Sequence, residues 1–340
     1  MNAKIGNIMN IKILSLFACA AALLSSCAKE PVSAPAADED TVTVTFGIET
    51  GETRASASGD TGKGKNIDLL ICGVYDSKGK LLTQYADKGN PNGQIVNTKK
   101  ADEENFPMIS LRLVRGQVYK IAFWSQNSRC EAYDTSDLSD ICIDYSKMKL
   151  NDDTFDVFCN TEMFTVAEDE YRTVTLRRPF AQINVGMSKS DFEEFCKAST
   201  PGFPIEKVNI KVSEAATSMN LVDNRVDGAD PSKIQAVDYP YADWIKSEYL
   251  LVDLNHDGKY NDVDDKEPET FFFLAYGFIL VADAVEGTST YSAEVEVTVG
   301  LTGGGSELKF SDDDMKKVPV QRNWSTNIIL EAEPLLSAGR

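Results

Sequence analysis

Apolar residues return at every second position along most of this chain, and that period admits little besides β-structure. From Thr41 to Glu49, Val42, Val44, Phe46 and Ile48 share one face and threonines take the other, the pattern of a strand buried on one side. The same period recurs at Ile109, Leu111 and Leu113, at Val208, Ile210 and Val212, and from Tyr291 to Val299, where Ala293, Val295, Val297 and Val299 face inward. Ile67 to Tyr75 is an apolar run of strand length. Phe271 to Ala282 is continuously apolar, either a central strand or two strands meeting near Gly277. Turn residues punctuate these runs at Asp76-Ser77-Lys78-Gly79 and Arg115-Gly116, and the second is expected to close a hairpin between Ile109–Leu113 and Val118–Trp124. Tyr171–Leu176 and Ala181–Val185 are further strands, separated at Pro179. One helix signal stands out: Ser190 with Glu193 makes a capping box, with Phe192, Phe195 and Cys196 on one face. The expected fold is all-β: two tandem antiparallel β-sandwich domains with one short helix, joined near Arg177 to Gly186.

The start of the chain sets its destination. Lys4 and Lys12 precede the apolar run Ile13 to Leu24, which ends in Leu24-Ser25-Ser26-Cys27. Such a run falls short of the ~20 residues a permanent spanning helix needs. Ser25 and Ser26 open the bond before Cys27 to a signal peptidase, and the Cys27 thiol is the expected lipid carrier. An ordinary secretory leader with an incidental cysteine is the competing reading. Residues 1–26 are therefore expected to be a lipoprotein signal peptide, 27–40 a disordered tether, 41–178 an N-terminal sandwich and 179–340 a C-terminal one. The mature chain would sit at the cell surface, held in the outer membrane by acyl chains such as palmitate.

The formal charge of -19 excludes a nucleic-acid partner, which requires clustered Lys and Arg to displace counterions. Of seven cysteines, Cys19 leaves with the leader and Cys27 carries lipid. Cys72, Cys130, Cys142, Cys159 and Cys196 remain, as buried free thiols or with Cys130 bridged to Cys142 or Cys159. The single histidine, His256, lies in an acidic loop away from any nucleophile motif, so no enzyme is expected. Gly59-Asp60-Thr61-Gly62-Lys63-Gly64-Lys65-Asn66 approaches a phosphate-binding loop but has Asn66 where a magnesium-binding hydroxyl is required. Asp253-Leu254-Asn255-His256-Asp257-Gly258-Lys259-Tyr260-Asn261-Asp262-Val263-Asp264 has the spacing of a calcium loop. Asp253, Asn255 and Asp257 would converge, Lys259 would offer its carbonyl and Asp264 would close the shell. The same residues also make an acidic solvated turn. No other cofactor is implied.

Several stretches together resemble the fimbrillins of Bacteroidales, the precursor lipoproteins of protease-assembled (type V) pili. They are the Leu-Ser-Ser-Cys27 start, Thr53-Arg54-Ala55 after the first strand, Val174-Thr175-Leu176-Arg177-Arg178-Pro179-Phe180-Ala181-Gln182-Ile183, Ser218-Met219-Asn220-Leu221, and Val318-Pro319-Val320-Gln321-Arg322-Asn323-Trp324-Ser325-Thr326-Asn327-Ile328. The resemblance implies transthyretin-like sandwiches and a surface-exposed structural subunit of a pilus or adhesin. It implies that an arginine-specific surface protease cuts between Arg54 and Ala55 and removes the strand carrying Val42, Val44, Phe46 and Ile48. Another pilus subunit then fills the groove by β-strand addition. Little follows Ile328–Leu330 except Glu331-Ala332-Glu333-Pro334 and a short polar end, so the strand through Ile328 donates onward or the subunit only accepts, at a tip or anchor. The alternative is a monomeric lipid-anchored module binding host glycans or proteins, with Trp124, Trp244, Tyr239 and Tyr241 stacking on sugar rings.

Overall fold

The computed structural model describes residues 40–51, 66–100, 103, 105–188, 190–193, 205–226, 230–243, 247–250, 271–283, 291–301, 307–311, 313 and 315–331. The strands of the first half are β1 (Thr41–Thr50), β2 (Leu69–Asp76), β3 (Ile95–Thr98), β4 (Ile109–Val114), β5 (Val118–Gln126), β6 (Tyr133–Asp134), β7 (Ile141–Ile143), β8 (Phe158–Thr165) and β9 (Glu170–Leu176). Two sheets, β4-β1-β9 and β3-β2-β5-β8, form the first sandwich. Val44, Phe46, Leu70, Cys72, Leu111, Ile121, Phe123 and Val174 fill the space between them.

The expected hairpin at Arg115-Gly116 does not form. β4 pairs with β1 and β5 with β2 and β8, so the chain crosses from one sheet to the other there. Gly116, at φ 78°, donates its N–H to Val166 O at 2.7 Å across the sandwich rim. A turn signal shows that the chain reverses but not whether the reversal lies within a sheet or between two sheets.

The second half contributes β10 (Ala181–Ser188), β11 (Ile205–Ala216), β12 (Ser218–Met219), β13 (Ile234–Asp238), β14 (Ala242–Asp243), β15 (Ser247–Leu250), β16 (Phe271–Ile279), β17 (Tyr291–Ala293), β18 (Val295–Leu301), β19 (Glu307–Phe310), β20 (Val318–Val320) and β21 (Ser325–Leu330). Its two main sheets are β15-β16-β10-β21 and β13-β11-β18-β19, with β14 also on β11. The apolar run beginning at Phe271 is one interior strand, β16, bordered by β15 and β10. The strand expected from Tyr291 to Val299 breaks at Glu294, and its two parts pair with different partners, β20 and β11. Residues 190–193 are helical, but Ser188 is the cap, not Ser190. The Ser188 Oγ accepts the Asp191 N–H at 3.0 Å and donates to Asp191 Oδ2 at 2.5 Å.

The sheet β3-β2-β5-β8 is covered on both faces. Ile71, Tyr75, Ala122 and Trp124 turn away from the first core into a second, which also takes in residues 130–159 and the C-terminal sandwich. Tyrosine hydroxyls tie these layers together. Tyr133 donates to Phe155 O at 2.6 Å, and Tyr145 donates to Ala216 O at 2.9 Å while accepting the Leu280 N–H at 2.9 Å. Met219 and Leu221 are buried where β12 joins the small sheet with β7 and β6. Cys72, Cys130 and Cys159 are buried free thiols, and Cys142 is exposed and free.

Each sandwich has one parallel pair among antiparallel ones. β1 runs parallel to β9, and β10 runs parallel to β21. The first and last main strands of each half are thus neighbours.

Candidate functional site

β1 is the interior strand of its sheet. It pairs antiparallel with β4 from Thr41↔Val114 to Phe46↔Ile109, and parallel with β9 from Val44↔Glu170 to Thr50↔Leu176. Val44 and Phe46 are 0% exposed, Ile48 4% and Val42 5%, so the alternating row lies wholly inside the core. Phe46 packs on Phe123 and Phe164 with ring centroids 5.5 and 6.0 Å away. Burial of four such side chains favours the seated strand by about 1.5–3 kcal/mol each.

Polar contacts fix the ends and the outer face. Thr43 N–H donates to Asp169 Oδ1 at 2.6 Å where β9 has not yet begun, and Gly51 N–H donates to Leu176 O at 2.8 Å. Arg115 clasps Asp40 at 2.8 Å, Arg112 donates to Thr41 Oγ1 at 2.8 Å, and Thr45 and Ser110 hydroxyls lie 3.0 Å apart. Gly47 lies under Tyr171, and a Cβ at that position would be 2.0 Å from the Tyr171 hydroxyl oxygen. Without β1, β4 and β9 would face each other across a slot with unpaired ladder groups on both walls and an apolar floor. A slot of that kind accepts another strand.

Of the other residues singled out from sequence, Cys27, Arg54, Ala55, Trp244, Asp253, Asn255, Asp257, Lys259 and Asp264 lie outside the described residues. Arg54 follows the end of β1 by four positions, 50 to 54. Among the described residues no group of three His, Cys, Asp or Glu is placed to hold a metal, and no helix is long and apolar enough to cross a membrane. Two of the proposed sugar-stacking rings are core residues. Trp124 is 0% exposed and Tyr239 1%, so neither can meet a ligand. Tyr241 is exposed, with Lys207 Nζ 4.0 Å from its ring centroid.

Sequence reasoning missed a buried cation where the two sandwiches meet. Arg178 is 2% exposed and makes a two-point bond to Asp156, Nε to Oδ1 at 2.6 Å and Nη2 to Oδ2 at 2.9 Å. Its Nη1 donates to Gln182 Oε1 at 3.0 Å, Gln182 donates to Asn184 Oδ1 at 2.8 Å, and Asn184 donates to Asn327 Oδ1 at 2.9 Å. The rings of Phe278 and Phe158 lie 5.1 and 5.5 Å from the guanidinium carbon. Arg322 donates to Pro179 O at 3.2 Å and pairs with Asp283 at 2.8 Å, while Asn323 N–H meets Phe180 O at 3.0 Å. The segments around Arg178 and Arg322, far apart in sequence, therefore form one polar seam. The available signal was the crowding of Arg, Gln and Asn within otherwise apolar strand segments.

Beside this seam is a cleft of about 690 Å³ between the edges of β8 and β9 and the loops of the second sandwich. Burial pushes the Cys159 thiol at its base up to about 12, against a smaller opposing effect of Arg322, which leaves the thiol without nucleophilic character at neutral pH.

A family model described as a family of unknown function (DUF6562) matches residues 35–329. No curated protein matches the chain. Among solved structures, it is similar to a provisionally assigned adhesin from Bacteroides thetaiotaomicron, 13% identical with a TM-score of 0.44, over 87% of this chain and 93% of that one. A provisionally assigned cell adhesion protein from Bacteroides uniformis is 11% identical with a TM-score of 0.44, over 88% and 94%. A fimbrial assembly protein from Parabacteroides distasonis is 11% identical with a TM-score of 0.37, over 87% and 94%.

Proposed function

This chain belongs to the DUF6562 family of unknown function, and within that family we propose that it is a fimbrillin-like structural subunit of a surface pilus or adhesin, not an enzyme. The observation that supports this most is the seating of β1. It is an interior strand paired on both sides with its apolar row buried, and the segment carrying Arg54 comes directly after it. A single cut between Arg54 and Ala55 would separate β1 covalently from the rest of the chain and leave it held by noncovalent contacts, its ladders with β4 and β9 and its buried apolar row. A neighbouring subunit's strand, running in the direction of β1, would replace it and meet the same two ladders. The partners are other subunits, an arginine-specific surface protease and the outer membrane, reached through lipid on Cys27. The same cut would free the protein from that lipid. A structural calcium at Asp253, Asn255, Asp257, Lys259 and Asp264 would stiffen a loop without taking part in chemistry.

The test is the intact mass and amino terminus of protein recovered from cells, with unheated gels to preserve assemblies. Material in high-mass ladders that begins at Ala55 supports the proposal. A lipidated Cys27 start in all of the protein, with no ladder, overturns it.

A further inference from the structure

The cleft between the sandwiches has walls from both of them. Asn160 and Glu162 of β8 and Thr173 and Thr175 of β9 form one side, and Asn224, Asp283 and Arg322 form the other. Its volume, about 690 Å³, is that of a small-molecule site. Three arginines line it, and two are already neutralised: Arg178 by Asp156 and Arg322 by Asp283. Arg177 is exposed, and among the described residues its guanidinium has no ion-pair or hydrogen-bond partner. Its backbone is nonetheless fixed, with N–H to Cys159 O at 2.9 Å and O to Cys159 N–H at 2.8 Å, so the side chain starts from a rigid point. Across the cleft, Asn224 and Asn323 both have left-handed backbone, φ 49° and 62°. Asn224 receives Arg322 through both its carbonyl and its side-chain oxygen, at 3.3 and 2.7 Å, and this holds the far wall in place.

We infer that this cleft is a binding site for a carboxylate-bearing sugar unit of a glycan. The planar guanidinium of Arg177 matches a carboxylate in two-point geometry. The threonine hydroxyls, the carboxamides and the Glu162 carboxylate, which already accepts from Asn160 at 3.3 Å, match sugar hydroxyls, which both donate and accept. The lining offers no aromatic platform, so recognition rests on this polar set and not on ring stacking. The site borders the β1 slot, since Thr173 and Thr175 in its wall lie on β9, the strand that pairs with β1. Because its walls belong to different sandwiches, a bound sugar also holds the two together.

The experiment is calorimetric titration of the intact protein, purified in detergent, with trigalacturonate, with its methyl ester and with a neutral-charge dipeptide. Trigalacturonate is expected to bind, its ester to bind about tenfold more weakly or worse, and Arg177→Gln to weaken trigalacturonate about tenfold or more. Lys88→Gln removes an equal charge from an exposed loop position and is expected to leave binding unchanged. The inference is overturned if trigalacturonate and its ester bind alike, if Lys88→Gln weakens binding as much as Arg177→Gln, if the dipeptide binds more tightly, or if no heat is seen at millimolar sugar. Among the described residues the Arg177 side chain makes no ion pair or hydrogen bond that folding would lose, so its variant reports on the site itself.

Discussion

Replacing either member of the Arg178–Asp156 pair should damage the fold far more than replacing both. Arg178 is 2% exposed and Asp156 4%, and the two-point contact at 2.6 and 2.9 Å leaves neither charge in touch with water. Arg178→Met strands a buried carboxylate and Asp156→Leu strands a buried guanidinium. Each change is expected to cost about 3–5 kcal/mol, the penalty of an uncompensated interior charge. Arg178→Met also takes a donor from Gln182 Oε1, adding about 1 kcal/mol. Independent effects would make the double variant about 7–11 kcal/mol less stable. The double variant instead removes both charges together and fills the site with apolar side chains beside Phe158 and Phe278, so its loss should be about 0–2 kcal/mol. A coupling energy of at least ~5 kcal/mol follows. Urea unfolding of the four proteins, followed by tryptophan fluorescence, measures it. Additive single effects, or single losses under ~1 kcal/mol, would show that the pair is hydrated in solution and that the seam is not a dry core.

Phe46→Ala should cost about 3–5 kcal/mol in the same unfolding assay, because its ring is wholly buried against Phe123 and Phe164; a loss under ~1 kcal/mol would mean β1 is not seated as described. Burial raises the Asp153 carboxyl above its ordinary value, and the Tyr276 hydroxyl donation at 2.6 Å only partly opposes this. The folded state therefore takes the proton first, and Asp153 loses stability for the protein as pH rises through its raised value. Asp153→Asn keeps an acceptor for Tyr276, so its melting temperature should exceed that of the parent near neutral pH. The gap should close as the medium becomes acidic enough to protonate Asp153, and a gap independent of pH would refute the assignment.

The strands that could be read from sequence were those whose burial is local. In β1 and β11 the alternation of Val, Phe and Ile with polar residues requires only that one face be covered, whatever covers it. Pairing could not be read in the same way. Nothing in Tyr171–Leu176 marks it as the parallel neighbour of a strand whose paired residues lie 126 positions earlier, and nothing in Arg115-Gly116 separates a hairpin from a crossing between sheets. The slot therefore came from sequence as a strand and a nearby arginine, while its walls came only from the structure. Arg178 was hidden for a related reason. An arginine is expected in water, and it sits in the core only because Asp156, 22 residues earlier, and Gln182 meet it there.

The parallel pairing of β1 with β9 and of β10 with β21 has a mechanical consequence. A chain that enters a domain along one strand and leaves along a parallel neighbour enters and exits at opposite poles, so such domains join end to end as links in series. Tension on the two ends then slides the paired strands along each other instead of peeling them apart. Every rung of the ladder resists at once, and none can fail before the rest are strained. Arg177 to Phe180, the short passage from β9 into β10, transmits that tension from one link to the next, and the seam around Arg178 lies directly on its path.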